Sequence, residues 1–199
     1  MRIAAAAFAL WVSSVIATPL AENLYTREEA QSLGLPIVDL EWTGQVVEGG
    51  PTVTLTGTAQ SIYEEILKIN PDFKSDEVEE RGLEARQSDG TIQCGNAPYV
   101  TNYNRQCGEG ISYLRRLGGG NGMCGTPAGV CTRVSCSNNC GMYLCSNSAK
   151  SVRCNSIAND IEWISSRCGR TVNGVWQSRG RLVFRDGHAT ELRRPDNLC

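Results

Sequence analysis

The chain has 199 residues, with 19 Lys and Arg against 21 Asp and Glu, ten cysteines and one histidine. This length suits one or two domains and excludes large multidomain enzymes and long repeat arrays. With 41% hydrophobic residues and seven prolines it is not a disordered or collagen-like chain, and one histidine excludes chemistry that needs two imidazoles or a His-rich metal site.

Residues 1–17, MRIAAAAFALWVSSVIA, read as a secretory signal peptide. Arg2 supplies the positive start, Ile3 to Val12 a short apolar run, and Val15 and Ala17 the small residues before a cut after Ala17. The run is too short for a membrane span, and no other stretch approaches the ~20 apolar residues a span requires. The expected product is secreted and extracellular, without a transmembrane segment.

From Thr18 to Arg86 there are 14 acidic and 5 basic residues and no cysteine; from Gln87 to Cys199 there are 7 acidic and 13 basic residues and all ten cysteines. Such asymmetry marks two segments. We expect an acidic pro-segment, 18–86, and a cysteine-rich domain, 87–199. The charged junction at 76–90 predicts an exposed site cut after Arg86. Within the acidic segment, 37–47 and 52–56 read as strands around the turn Glu48-Gly49-Gly50-Pro51. Thr58 to Lys68 reads as a helix with Ile62, Ile66 and Ile69 on one stripe, stopped by Asn70-Pro71. This ββα unit is small for independent stability; its charge suits either docking on the basic half or service as an acidic solubility leader.

In an oxidising compartment Cys94, Cys107, Cys124, Cys131, Cys136, Cys140, Cys145, Cys154, Cys168 and Cys199 should form five disulfides, of connectivity the spacing does not determine. No C-x-x-C, P-loop, G-x-S-x-G or H-E-x-x-H occurs, so neither a metal nor another cofactor is expected. Thr91 to Cys94 is a short strand, Cys107 to Leu117 a helix, and residues 118–122, GGGNG, a flexible loop. Residues 130–136 and 141–145 are strands joined by Ser137-Asn138-Asn139. Residues 154–168 are the clearest helix, with Cys154, Ile157, Ala158, Ile161, Ile164 and Cys168 on one stripe, so both cysteines can tie it to the sheet. The fold class is α+β, a two-layer sandwich of a mostly antiparallel sheet with two helices on one face, disulfide-stapled and preceded by the small ββα pro-segment.

The last hairpin carries the candidate site. Asp186-Gly187 signals a two-residue turn. Residue 185 then lies opposite 188, 183 opposite 190, 181 opposite 192 and 179 opposite 194. One face collects Arg179, Arg181, Arg185, His188 and Arg194, a candidate contact surface for an anionic partner or else an ordinary solvated strand face. The other collects Leu182, Phe184, Ala189 and Glu191. Arg115-Arg116 is a second, smaller basic patch, and Trp163 and Trp176 are aromatic anchors or core residues. A ribonuclease-like trio of His188, Glu191 and Arg193 is opposed by alternation, which sends His188 and Glu191 to opposite faces.

The segments Val134-Ser135-Cys136 through Tyr143-Leu144-Cys145 and then Cys154-x-x-Ile157-Ala158-x-x-Ile161-x-x-Ile164-x-x-x-Cys168, with the terminal Cys199 and a pre-segment ending Leu83-Glu84-Ala85-Arg86, resemble fungal small cysteine-rich secreted proteins, in particular the smut-virus killer-toxin family. Cys94-Gly95 followed by Cys107 is similar to the necrosis-inducing effector domain. The first resemblance implies a two-layer α/β sandwich and toxins acting on cation channels of competing cells. The functional expectation is a non-catalytic effector or toxin-like protein that binds a target on or in another cell. The alternatives are a small secreted hydrolase or nuclease centred on His188, and an inhibitor or cell-wall binding module.

Overall fold

The computed structural model describes residues 35–74, 89–196 and 199. The expected signal peptide, with its cut after Ala17, and the expected cleavage at Arg86 lie outside the described residues.

The ββα order of the acidic segment is present. β1 (Ile37–Gln45) and β2 (Thr52–Gly57) form a hairpin, and α1 (Ala59–Ile69) follows. Thr58 starts α1 because its hydroxyl accepts from the Ser61 backbone N–H while the Ser61 hydroxyl accepts from the Thr58 N–H, a reciprocal cap. Ile62 and Ile66 are buried as their spacing predicts, whereas Ile69, at the last turn, is 57% exposed.

In the cysteine-rich half come β3 (Gly90–Gln93), the single turn α2 (Tyr103–Gln106), α3 (Gly108–Arg116), β4 (Met123–Thr126), β5 (Val130–Ser137), β6 (Cys140–Ser146) and β7 (Lys150–Arg153). Then follow α4 (Cys154–Cys168), the short ribbon β8 (Arg170–Val172) and β9 (Val175–Gln177), and the hairpin β10 (Gly180–Phe184) with β11 (His188–Arg193). The main sheet has the order β3-β10-β11-β6-β5-β1-β4-β7, with β2 also on β1. It is antiparallel except where the first three residues of β1 run parallel to β5.

The acidic segment therefore supplies an interior strand. Residues 37–39 of β1 pair with β5, residues 40–45 pair with β2, and residues 41–43 also pair with β4 on the other side. Alternation along β1 puts Leu40 and Trp42 fully inside. The Trp42 indole N–H donates to the Leu117 carbonyl at 2.8 Å, and its ring meets Phe73 edge-on at 6.4 Å. The glycine loop expected to be flexible is a close-packing device instead. A Cβ at Gly122 would collide with the Leu117 carbonyl and the Trp42 ring nitrogen, and Gly120, at φ +59°, lies against the Gln45 carbonyl while its own carbonyl accepts from Gln45 N–H at 2.8 Å.

The helices α1, α3 and α4 line one side of the sheet, α3 packing on α1, α4 and β5, and α4 on β10, β11, β3 and β7. Contacts of α4 with both end strands show that the sheet curls around it. Lys150 of end strand β7 accordingly reaches Asp186 at the β10–β11 turn, 2.8 Å away. Ile157, Ile161 and Ile164 of α4 are completely buried, and its one inward acid, Asp160, accepts a hydrogen bond from the Thr190 hydroxyl at 2.8 Å.

All ten cysteines pair. Cys94–Cys168 and Cys124–Cys154 fasten the two ends of α4 to β3 and β4, as the inward stripe predicts. Cys107–Cys140 joins the start of α3 to β6, Cys131–Cys145 crosses between β5 and β6, and Cys136–Cys199 ties down the C-terminus. Every bridge lies within the cysteine-rich segment, so none ties the acidic segment to it. Five disulfides fit a small cysteine-rich extracellular protein. No helix among the described residues is long and apolar enough to cross a membrane.

Candidate functional site

The β10–β11 register differs by one from the expected one, and this redistributes the candidate residues. The Gly187 N–H bonds the Phe184 carbonyl at 3.1 Å, and Gly187 has φ +87°. The turn thus has three residues, Arg185, Asp186 and Gly187, with the glycine in the left-handed position of a bulge, rather than the two-residue Asp-Gly turn. Gly180 pairs with Leu192, Arg181 with Glu191 and Val183 with Ala189. Shifting one strand by a residue exchanges its faces.

The single basic face is therefore corrected. Arg181 and Glu191 share the side away from the helices with Arg193, while His188 joins Leu182 and Phe184 on the helical side. Glu191 Oε1 is 2.9 Å from Arg193 Nε and Glu191 Oε2 is 3.5 Å from Arg181 Nε, all three residues being buried. Burial pushes the Glu191 carboxyl up, and the flanking Arg181 and Arg193 guanidiniums pull it back. The registers extend this into a row across five strands, Arg181, Glu191, Tyr143, Arg133 and Asp39. Arg193 lies over the Tyr143 ring at 4.4 Å, and Arg133 is 3.5 Å from Asp39. Arg181 thus belongs to a buried ionic layer, not to a contact surface.

His188 is 5% exposed and stacks on Phe184 at 4.2 Å with the rings nearly parallel. Its Nδ1 makes a short contact with Asp186 Oδ1. Burial opposes ionisation of Asp186, but hydrogen bonds from Lys150 and His188 prevail and hold its carboxyl at about 2. Asp89, Ser151, Val152, Phe184, Arg185, Asp186 and His188 border a cleft of about 470 Å³. Glu191 and Arg193 lie on the opposite side of the sheet from His188, as alternation predicts, so the ribonuclease-like trio does not assemble. Among the described residues, Cys131, Cys145 and Glu191 are near enough to share a metal ion, but those sulfurs are joined to each other and offer no thiolate.

The Arg179 side chain and the Arg194 backbone both meet the loop after β3. Arg179 donates to the Ala97 carbonyl at 2.6 Å, and the Arg194 backbone N–H donates to the Pro98 carbonyl at 3.0 Å. Between these anchors the Tyr99 ring carries two guanidiniums, Arg179 at 4.2 Å and Arg170 at 3.8 Å from its centroid. Arg170 also approaches Gln177 Oε1 at 3.4 Å across the β8–β9 ribbon. Arg167 covers the Trp163 ring at 4.3 Å. Residues 163–185 contain five arginines and no acid. Arg167, Arg170 and Arg194 are exposed and Arg179 is half-buried.

Tyr99 and Arg170 were not singled out in the sequence. Asn173-Gly174 could have found Arg170, because both residues adopt positive φ (+51° and +76°), as a tight hairpin turn demands. The ribbon it closes, β8–β9, is what carries Arg170 onto Tyr99. Tyr99 sits in a loop whose sequence, Asn96-Ala97-Pro98-Tyr99, has no periodic signal. Of the other predicted patch, Arg115 pairs with Glu162 at 2.6 Å and Arg116 lies over the Tyr63 ring at 5.2 Å, so the two are engaged separately. Trp163 and Trp176 are half-buried. Trp176 donates its indole N–H to the Ser165 hydroxyl at 3.0 Å and borders a cleft of about 490 Å³ with Tyr103, Asn104, Ser166 and the Arg115–Glu162 pair. Burial, reinforced by Glu162, pushes the Tyr103 hydroxyl there up to about 12, so it stays protonated.

Comparison with protein-family models, curated proteins and solved structures finds no match.

Proposed function

We propose that the protein is a secreted, non-catalytic ligand, effector- or toxin-like, that binds a target on or in another cell. The observation that carries this reading is the pair of arginines on Tyr99: Arg170 and Arg179 stack on a ring carried by a disulfide-anchored loop, and neither forms an ion pair among the described residues. Fixed cations without acidic neighbours leave their charge for a partner and speed encounter with an anionic one. The cross-linked body favours this, because a rigid surface loses little conformational entropy on binding. The resemblance to killer toxins and fungal effectors points to the same class of action.

Fluorescently labelled secreted protein tests the proposal. Saturable association with intact cells, displaced by unlabelled protein, is expected. Association that never saturates, or hydrolysis of a nucleic-acid or ester substrate by the purified protein that is lost in His188→Gln, would overturn it.

A further inference from the structure

Independently of the binding reading above, we infer that β2 is a dimerisation edge, on which a second copy of this chain adds its own β2 antiparallel across a two-fold axis. The backbone of β1 shows which groups β2 leaves outward. Gln45 donates its N–H to the Gly120 carbonyl, and its own carbonyl lies against Gly120, so both groups point away from β2 toward the loop that leads into β4. Gln45 and Thr52 are therefore a pair that exchanges no hydrogen bonds. The register from Gln45–Thr52 to Leu40–Gly57 is unbroken, so bonded and non-bonded pairs alternate along it. Val53, Leu55 and Gly57 bond to β1, and Thr52, Thr54 and Thr56 aim their N–H and C=O groups outward. All three threonines are exposed, and among the described residues no strand lies beyond them. α1 packs on α3 and β5 as well as on β2, toward the core, and leaves this edge open.

The edge is unguarded and matches itself. Exposed sheet edges ordinarily carry charges or proline that discourage pairing. β7, at one end of the same sheet, carries Lys150 and Arg153. Thr52-Val53-Thr54-Leu55-Thr56 has neither charge nor proline and is β-branched except at Leu55. It reads almost the same in both directions about Thr54. A two-fold axis through Thr54 sets Thr54 on the partner's Thr54, Thr52 on the partner's Thr56 and Val53 on the partner's Leu55. The three threonine pairs then face each other with their outward N–H and C=O groups. The register that matches the side chains is thus the one that satisfies the backbone. On the outer face, the Thr43 and Thr54 hydroxyls of each copy, 3.5 Å apart, continue into one row of threonines. On the inner face, Val53 and Leu55, which pack against the core, meet their counterparts. Such an isologous contact closes at two copies.

Charge sets the strength of the contact. Residues 35–74 contain six acids and two lysines, so two such units repel each other. A pair of six-residue strands also buries less than a standard interface. The dimer is therefore weak, and added salt strengthens it by screening the acids. A head-to-tail contact of this acidic unit with Arg170 and Arg179 of another copy would respond to salt in the opposite direction.

The test is sedimentation equilibrium of the intact secreted protein from about 10 to 500 µM, at about 0.05 and 0.5 M NaCl. A monomer–dimer equilibrium that tightens at the higher salt is expected. Amide hydrogen exchange read by NMR locates the contact. The Thr52, Thr54 and Thr56 amides should slow as protein concentration rises, whereas those of Val53 and Leu55, already bonded to β1, should not change. Thr54→Pro removes an N–H that the single copy does not use, at an edge position where a strand tolerates proline, and should weaken dimerisation at least about tenfold. If that variant fails to fold, Thr54→Lys, which sets two like charges opposite each other, should weaken it in the same direction. A monomer at every concentration, which would leave the edge to a foreign strand, overturns the inference. So does a dimer that loosens with salt, a threonine exchange rate independent of concentration, or a dimer unaffected by a folded Thr54 variant.

Discussion

If residues 37–74 are structural, removing the side chain that locks them in place must unfold the cysteine-rich half as well. Trp42 is that side chain. It is completely buried, donates to the Leu117 carbonyl at 2.8 Å and lies edge-on to Phe73. Truncating a buried tryptophan to alanine costs about 3–5 kcal/mol in lost burial and residual cavity. Leaving the Leu117 carbonyl without its partner adds about 1–3 kcal/mol unless water reaches it. The sum is a large part of the ~5–15 kcal/mol that holds a typical domain together. Trp42→Phe keeps most of the ring and loses the hydrogen bond, so it should cost about 1–2 kcal/mol. The assay is urea unfolding of the oxidised protein followed by far-ultraviolet circular dichroism. With a slope of about 2 kcal/mol per molar urea, Trp42→Ala should lower the midpoint by about 2–4 M and Trp42→Phe by about 0.5–1 M. A Trp42→Ala midpoint within about 0.3 M of the parent's would show that the acidic segment lies outside the cooperative unit, and would refute the reasoning.

Further outcomes follow from other contacts. A protease site placed between residues 75 and 88 and then cut should yield two pieces that co-elute under native conditions and separate in urea without reductant, because no disulfide joins the halves and β1 is paired on both sides; separation in native buffer refutes this. Glu191→Gln removes the buried carboxylate between Arg181 and Arg193 and should cost about 3 kcal/mol by thermal melting, whereas Asp196→Asn, at an exposed partner of Arg193, should cost under about 1 kcal/mol. Removing Cys94–Cys168, which closes a separation of 74 residues, should destabilise the protein by about 1.5 kcal/mol more than removing Cys131–Cys145, which closes 14, if chain entropy dominates; equal losses in denaturant titrations would argue against that dominance. Asp186 titrates at about 2 instead of 3.8, so its contribution to stability is present above the ordinary carboxylate range and is lost as pH falls through about 2. Lys150→Met should raise that titration point, read by carboxyl-carbon NMR, and bring the acid loss to higher pH; an unmoved titration point would mean that Lys150 does not hold it.

Much of the fold was legible because it rests on local periodicity. The stripe Cys154, Ile157, Ile161, Ile164, Cys168 recurs at helical spacing, and a helix built on it must bury that face and both thiols. The strand alternation of 37–47 and the Thr58 start of α1 are equally local. The site was less legible because its register hangs on one turn. Asp186-Gly187 is compatible with a two-residue or a three-residue turn, and the choice between them moves Arg181 from a surface into a buried pairing with Glu191. Tyr99 had no local signal, since its partners lie 71 and 80 residues away at Arg170 and Arg179.

By itself, then, the order of residues determined the element types, the inward direction of the α4 cysteines and the α+β class, each a consequence of short-range spacing. Only the tertiary structure decided which cysteines meet, that β1 threads between β5 and β4, and which arginines keep their charge exposed. Those outcomes depend on pairing between distant segments, where the whole sheet's burial selects one register and sequence separation carries no information.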